Sequence, residues 1–296
     1  MKSHKSQHIH HQSPLIHHQS PLNLHKSSPN FHKSLLSFLP ILFLFLFFGC
    51  ERVIDVDLNE SDPEIVIEGN LSYNDGELEV IISKTSSYFS TAPSEKVENA
   101  LVYLVDDEET LVNAKHIGQG IYKVEDYIIR SGVEYSLHVE AEGREFVAKS
   151  TLHAPVKLDS LSYEYQNSSR FFDGGYRILL YFSDPPGEEN FYRVKVHKNG
   201  ELLNEVGDLI VFDDNRLDGK GIQVRLRGQL FDKGDTATVQ LLTIDKNTWR
   251  YFTTFREMAN LNPGSPAPAN PSSNFSNGAL GYFSAWSADE KEIIIE

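Results

Sequence analysis

The sequence predicts a mainly β protein: two β-sandwich-like domains of immunoglobulin or transthyretin type, the second carrying one C-terminal amphipathic helix. Three observations predict it. Between Ile65 and Ile244, short stretches alternate apolar and polar residues, the period that turns one face of a strand toward a core. Asn74-Asp75-Gly76, Gly118-Gln119-Gly120, Asp184-Pro185-Pro186-Gly187 and Asn199-Gly200 punctuate those stretches with turn residues, as in antiparallel sandwiches. Only the window 246–261 has helical period.

In the first half, strands are expected over 65–73, 78–82, 100–105, 110–116, 121–124, 134–139 and 144–152. Val102 and Leu104 turn to the face opposite Leu101, Tyr103 and Val105. His153-Ala154-Pro155 closes this half, because a proline cannot donate to a sheet ladder and sits naturally at a strand exit. The second half continues with strands over 158–166, 176–183, 190–198, 209–212, 222–230 and 236–244. Asp245 is then an N-cap for a helix over 246–261, whose Trp249, Phe252, Phe255, Met258 and Leu261 fall mostly three apart and form a stripe that packs on a sheet. Four prolines between Pro263 and Pro271 force extended chain, and Asn277-Gly278 turns into a closing segment over 279–286. The domains read as 61–155 and 156–296.

What precedes them is different in kind. Residues 35–48, LLSFLPILFLFLFF, form an apolar run of fourteen residues broken by Pro40, short of the ~20 a membrane-spanning helix needs. The run follows His32-Lys33 and ends at Gly49-Cys50, the only cysteine in the chain. It reads as a signal-peptide core, and its junction with Cys50 resembles the lipobox of bacterial lipoproteins, with Phe47 and Phe48 where Leu and a small residue are usual. Residues 1–49 are thus a leader to be removed, Cys50 is the expected lipidation site, and 50–60 is the tether. Upstream, Ile9-His10-His11-Gln12-Ser13-Pro14-Leu15 repeats as Ile16-His17-His18-Gln19-Ser20-Pro21-Leu22. A proline in each copy rules out a coiled coil, and a metal role is the weaker reading for a tract on the discarded side.

Charge divides at the same place. Four of the 27 Lys and Arg residues, and none of the 42 Asp and Glu, precede Cys50, so the remainder holds 23 basic against 42 acidic side chains, a net charge of −19. Such a chain repels nucleic-acid backbones and anionic lipid, so neither is an expected partner. With no cysteine after Cys50, disulfides and thiol catalysis are excluded there.

No G-x-S-x-G elbow, H-E-x-x-H or P-loop occurs, so a binding role is expected rather than catalysis. Asp213, Asn215 and Asp218, followed by Gly219, supply hard oxygen ligands that suit calcium, although Arg216 stands among them and a solvated loop is the simpler reading. Neither a resident metal nor a cofactor is expected beyond the lipid. His116, His138, His153 and His197 lack ligand spacing. Three aromatic-rich loops are the candidate contact surfaces: Tyr88 and Phe89, Phe171 and Phe172, and Tyr282 and Phe283 with Trp286. Aromatics anchor interfaces and cores alike.

Short motifs spread over residues 50–296 resemble one family. Cys50-Glu51-Arg52-Val53-Ile54-Asp55-Val56-Asp57-Leu58, Ile65-Val66-Ile67-Glu68-Gly69 and Tyr88-Phe89 are similar to the opening of domain-of-unknown-function family 4249, lipoproteins of Bacteroidota. Asp184-Pro185-Pro186-Gly187-Glu188-Glu189-Asn190-Phe191-Tyr192-Arg193, Phe212-Asp213-Asp214 and the stretch 262–283 resemble its second half. The resemblance implies an outer-membrane lipoprotein exposed at the cell surface and encoded beside a TonB-dependent receptor, and it carries over no catalytic residues. The expectation is therefore an anchored binding or accessory module for such a receptor, with an extracellular hydrolase of glycan or peptide, or a structural envelope protein, as the alternatives.

Overall fold

The structure is a computed structural model and describes residues 62–86, 92–168, 174–260 and 270–296. Cys50, Tyr88, Phe89, Phe171 and Phe172 lie outside the described residues, as does Leu261 of the helical stripe.

The first half forms β1 (Ile65–Ser72), β2 (Glu77–Lys84), β3 (Leu101–Val105), β4 (Leu111–Asn113), β5 (Lys115–Gly118), β6 (Ile121–Val124), β7 (Glu134–Ala141) and β8 (Arg144–Thr151). The second half forms β9 (Leu158–Gln166), β10 (Gly175–Ser183), β11 (Phe191–Lys198), β12 (Glu201–Leu202), β13 (Ile210–Asp213), β14 (Gly221–Arg225), β15 (Thr236–Ile244), the helix α1 (Lys246–Ala259) and β16 (Leu280–Ile294). The protein is mainly β, as its alternating pattern requires.

One nine-stranded sheet runs through both halves in the order β12-β11-β15-β16-β1-β2-β6-β5, with β13 also paired to β11. A four-stranded sheet, β4-β3-β7-β8, covers the first-half end of one face, and a three-stranded sheet, β14-β10-β9, covers the second-half end of that same face. Two sandwiches thus share one layer. In the first, Ile67, Leu71, Val80, Val102, Leu104, Leu137 and Phe146 are at most 1% exposed; full burial of each such side chain stabilises by about 1.5–3 kcal/mol. In the second, Tyr192, Val194, Val239 and Leu241 meet Ile178, Leu180 and Phe182. Alternation does the sorting, because every second residue of β11 and β15 points into this core and the others point to the opposite, outer face.

The seam is β16. Its residues 280–286 pair in parallel with β1, and its residues 287–294 pair antiparallel with β15. The segment 280–286, expected within the second domain, is therefore hydrogen-bonded into the sheet of the first. Gly281 makes the close approach workable: its φ is +93°, and a Cβ there would collide with the Ile67 carbonyl.

Several element boundaries differ from expectation. The stretch 110–116 is two strands in two sheets, because the Ala114 N–H donates to the Val102 carbonyl at 2.8 Å and the chain then crosses to pair β5 with β6. The strand expected over 222–230 stops at Arg225, the Leu226 N–H making the last bond of its ladder to the Ile178 carbonyl at 3.0 Å. The closing segment continues eight residues beyond 286, through the exposed Glu290, Lys291 and Glu292, because the register with β15 holds there whatever the side chains. Tyr282, Phe283 and Trp286 are not in an exposed loop. They lie in β16 and are 8%, 0% and 9% exposed. An aromatic-rich run beside a glycine reads alike as a loop or as a buried central strand, and the two-sided cover of this strand decides for the second.

Candidate functional site

The outer face of the shared sheet is where unusual chemistry collects. Phe191, Arg193, Lys195 and His197 occupy that face of β11, since Tyr192, Val194 and Val196 point into the second core. Across the ladder, Leu242 stands opposite Arg193 and Gln240 opposite Lys195. On its other side Val211 stands opposite Arg193. No acid faces either cation in register.

The helix α1 covers this face. Asp245 caps it as the sequence predicts: Oδ1 accepts the Thr248 N–H at 2.7 Å, while Oδ2 accepts the Thr151 N–H from β8 at 3.2 Å. One carboxylate therefore starts the helix and ties it to the first half. The aromatic stripe divides. Trp249 packs beside Phe191, and Phe252 is buried against Val211 and Tyr282, whereas Phe255 remains 40% exposed.

Beneath the helix, the Arg193 guanidinium lies 3.9 Å from the centre of the Phe252 ring and the Lys195 ammonium 4.7 Å from that of Trp286. Such contacts contribute roughly 0.5–2 kcal/mol each. They do not neutralise the charge. Neither cation has a carboxylate within ion-pair distance among the described residues, and Arg193 Nε is shut off from solvent with no hydrogen-bond partner. Burial pushes the Arg193 pKa down, and burial together with the Arg193 charge, opposed by Asp75, brings Lys195 down to about 8. Burial also raises the phenols of Tyr251 and Tyr282, whose rings lie 4.7 Å apart and tilted by 37°. A side-chain hydrogen bond between Arg193 and Tyr282 opposes the effect of burial on both partners without supplying an anion.

Both cations line a pocket of about 190 Å³, with Leu203, Val206, Leu209 and Phe255 among its apolar walls. Glu205 and Asp208 also line it, but Asp208 is engaged, its two oxygens accepting the N–H groups of Glu205 at 3.1 Å and Gln229 at 3.3 Å.

The calcium candidates lie elsewhere. Asp213, Asn215 and Asp218 line an open pocket of about 460 Å³ with Glu188, Glu189 and Asp214, yet the carboxylates whose oxygens come within 4.8 Å of one another are Asp184, Asp214 and Asp218. Asp184 Oδ1 accepts the Tyr192 hydroxyl at 2.5 Å, its Oδ2 accepts the Gly219 N–H at 3.1 Å, and Asp218 Oδ1 accepts the Gly187 N–H at 2.7 Å. Burial raises the Asp214 pKa, with the neighbouring Asp184 and Asp218 charges adding to it against a backbone hydrogen bond from Asn190. Calcium takes about six to eight oxygens, and two of these three carboxylates are spent on the chain itself. The cluster is a clasp that ties the 184–187 turn to the 214–219 loop.

Of the aromatic candidates, Phe283 belongs to the first core, while Tyr282 and Trp286 turn to the outer face beneath Phe252 and Lys195. Two of the histidines fill structural places: His138 stacks on Tyr103 at 4.7 Å, and His116 packs against Tyr122 at 4.8 Å. Sequence reasoning passed over Arg193, Lys195, Asp184 and Asp214. A cation at every second position of a strand is the ordinary signature of a solvated face, and nothing near β11 announces that a helix some fifty residues later covers it.

A family model described as "Domain of unknown function (DUF4249)" matches residues 51–292. The chain belongs to this family. No curated protein matches it. Among solved structures, it is similar to a two fibronectin type-III domain segment from chicken tenascin, at 13% identity over 62% of this chain and 91% of that one, with a TM-score of 0.22. The DUF4249 match begins one residue after Cys50 and spans both sandwiches, the clasp and the cationic pocket.

Proposed function

We propose that this DUF4249 protein is a lipoprotein acylated on Cys50, held at the outer membrane with its β sandwiches toward the cell exterior, and acting as a binding or accessory module for a TonB-dependent receptor. The observation that carries the reading is the junction at Cys50. A short apolar run ends there, the only cysteine stands there, and the acidic, family-matched chain begins with the next residue. A thiol-linked diacylglycerol, joined by acylation of the freed amine, anchors firmly where a single chain is marginal, each buried CH₂ contributing about 0.8 kcal/mol. Asp62, where the described chain begins, lies twelve positions after Cys50, and so many residues span at most roughly 40 Å. That reach keeps the sandwiches near the membrane and beside an integral partner. No helix among the described residues is long and apolar enough to cross a membrane. The strongly acidic charge supports solubility next to anionic lipid without adsorption to it.

Replacement Cys50→Ser tests the anchor: fatty-acid labelling and membrane fractionation should both be lost. If both persist, lipidation at this position is wrong. Gentle detergent extraction of the outer membrane, followed by affinity capture of the intact protein and mass spectrometry, should recover a TonB-dependent receptor in stoichiometric amount. Recovery of the protein alone removes the accessory role.

A further inference from the structure

We propose that the pocket beneath α1 binds an organic carboxylate with a compact apolar body, the carboxylate lying beside Arg193 and Lys195 and the body against Leu203, Val206, Leu209 and Phe255. The inference deepens the binding-module reading and rests on it for its biological sense.

The charge pattern within this one fold motivates it. Lys84, Lys123 and Lys198 are half-buried like Lys195, and each holds two carboxylates: Glu95 and Glu142, Glu77 and Glu79, Asp232 and Asp235. Arg130 holds three, from Asp106, Asp107 and Glu108. In a chain with 42 acids, supplying a partner is easy, so two adjacent cations left without one beside a pocket are an exception that asks for an external anion. The rings of Phe252 and Trp286 hold the cations in place without meeting that need. The second cationic pocket of the molecule makes the contrast sharper. It contains Arg177, Arg225 and Arg227, but Arg225 is paired with Glu164 at 2.5 Å, Arg177 is bonded to Gln166 and to the Leu226 carbonyl, and Arg227 is exposed, so that water meets its charge.

The chemistry of the walls selects the ligand class. A phosphate is a strongly hydrated dianion and needs a ring of donors, whereas the lining apart from the two cations is mainly apolar. Its polar members are Asn204, Glu205 and the backbone-bonded Asp208, and the negative charges of the two acids disfavour a dianion further. A guanidinium and an ammonium two residues apart on one strand face stand about 7 Å from each other at their Cβ atoms, near enough for one carboxylate to lie between their flexible arms. A volume of about 190 Å³ suits a small ring or a short branched chain. The lowered pKa of Lys195 agrees with a cation buried for want of a partner.

The test uses the full-length lipidated protein in nanodiscs and 3-phenylpropanoate as probe, with its neutral amide as comparator, followed by calorimetry and by tryptophan fluorescence. Withdrawing the Lys195 ammonium from the Trp286 ring should change the emission. Saturable binding of the carboxylate is expected, with the amide at least tenfold weaker. Lys195→Met and Arg193→Met should each weaken carboxylate binding at least tenfold while leaving the unfolding midpoint unchanged or higher, and Lys195→Arg should bind within a few fold of the wild type. The proposal is overturned if no saturable binding occurs up to about 10 mM probe, if acid and amide bind alike, or if Lys195→Met binds as the wild type does. Any of these three failures leaves the anchoring of Cys50 untouched, and loss of the anchoring reading, seen by fractionation, leaves the titration as it was.

Discussion

Two lysines on the same outer face of the same sheet, Lys123 at one end and Lys195 at the other, meet opposite fates. Lys123 in β6 stands opposite Glu79 of β2 and reaches Glu79 at 3.0 Å and Glu77 besides. This is cross-strand pairing of the ordinary kind. Lys195 in β11 stands opposite Gln240, whose amide donates to Glu290 at 2.8 Å, so the nearest acid of the ladder is taken by a neutral neighbour. The open end of the sheet uses charge to finish its surface. The covered end keeps charge unfinished under a helix, an arrangement that costs stability and marks a site.

The seam that lets both ends belong to one sheet gives the largest expected effect. Gly281→Ala places a Cβ against the Ile67 carbonyl at a φ of +93°, and should destabilise by more than about 2 kcal/mol. Denaturant unfolding should show it, and the transition should lose cooperativity if the sandwiches separate. A smaller effect is expected from Asp184→Ala, which strips the buried Tyr192 hydroxyl of its acceptor and loosens the clasp; about 1–3 kcal/mol is expected in the same measurement. The two lysines should then differ in sign. Lys123→Met leaves Glu77 and Glu79 facing each other and should lower stability by about 1 kcal/mol, while Lys195→Met removes an unpaired cation and should raise the unfolding midpoint. Equal signs would erase the contrast.

The smallest effect is in pH. Lys195 titrates near 8 in the folded protein and near 10.5 when unfolded, so between those values the unfolded chain holds more protons and stability rises with pH. The cost of the charged lysine is fully present below about pH 8 and fades toward 10.5. Arg193 and Asp75 are the charges that act on it. The advantage of Lys195→Met over the wild type should accordingly shrink between about pH 7 and pH 10, as thermal unfolding of the two proteins side by side would measure. A constant advantage would mean that Lys195 is not buried as a free cation.

Much of the fold was legible in advance because the strands carry their own period. Leu78 and Val80, or Val194 and Val196, alternate with polar residues so regularly that facing is dictated before any partner is known. Asp245 was legible as a cap for an equally local reason. Long-range pairing left no such mark. The stretch 110–116 reads as one strand although the chain changes sheets at Ala114, and the run through Tyr282, Phe283 and Trp286 reads like a loop although it is a central strand of the nine-stranded sheet. The carboxylates of the clasp come from positions 184, 214 and 218, and only the pairing of β11 with β13 brings those turns to one place.

The sequence by itself determined the β character, the single helix and its start, the acidic charge and the break in composition at Cys50, since each depends on neighbours within a few residues. Only the tertiary structure decided that one strand, β16, serves both sandwiches, and that a face of β11 which looks solvated lies under α1. Arg193 and Lys195 are ordinary surface residues in a strand taken alone, and half-buried cations with no acid in ion-pair reach among the described residues once the helix is laid across them, because burial and pairing belong to the assembled chain and not to any segment of it.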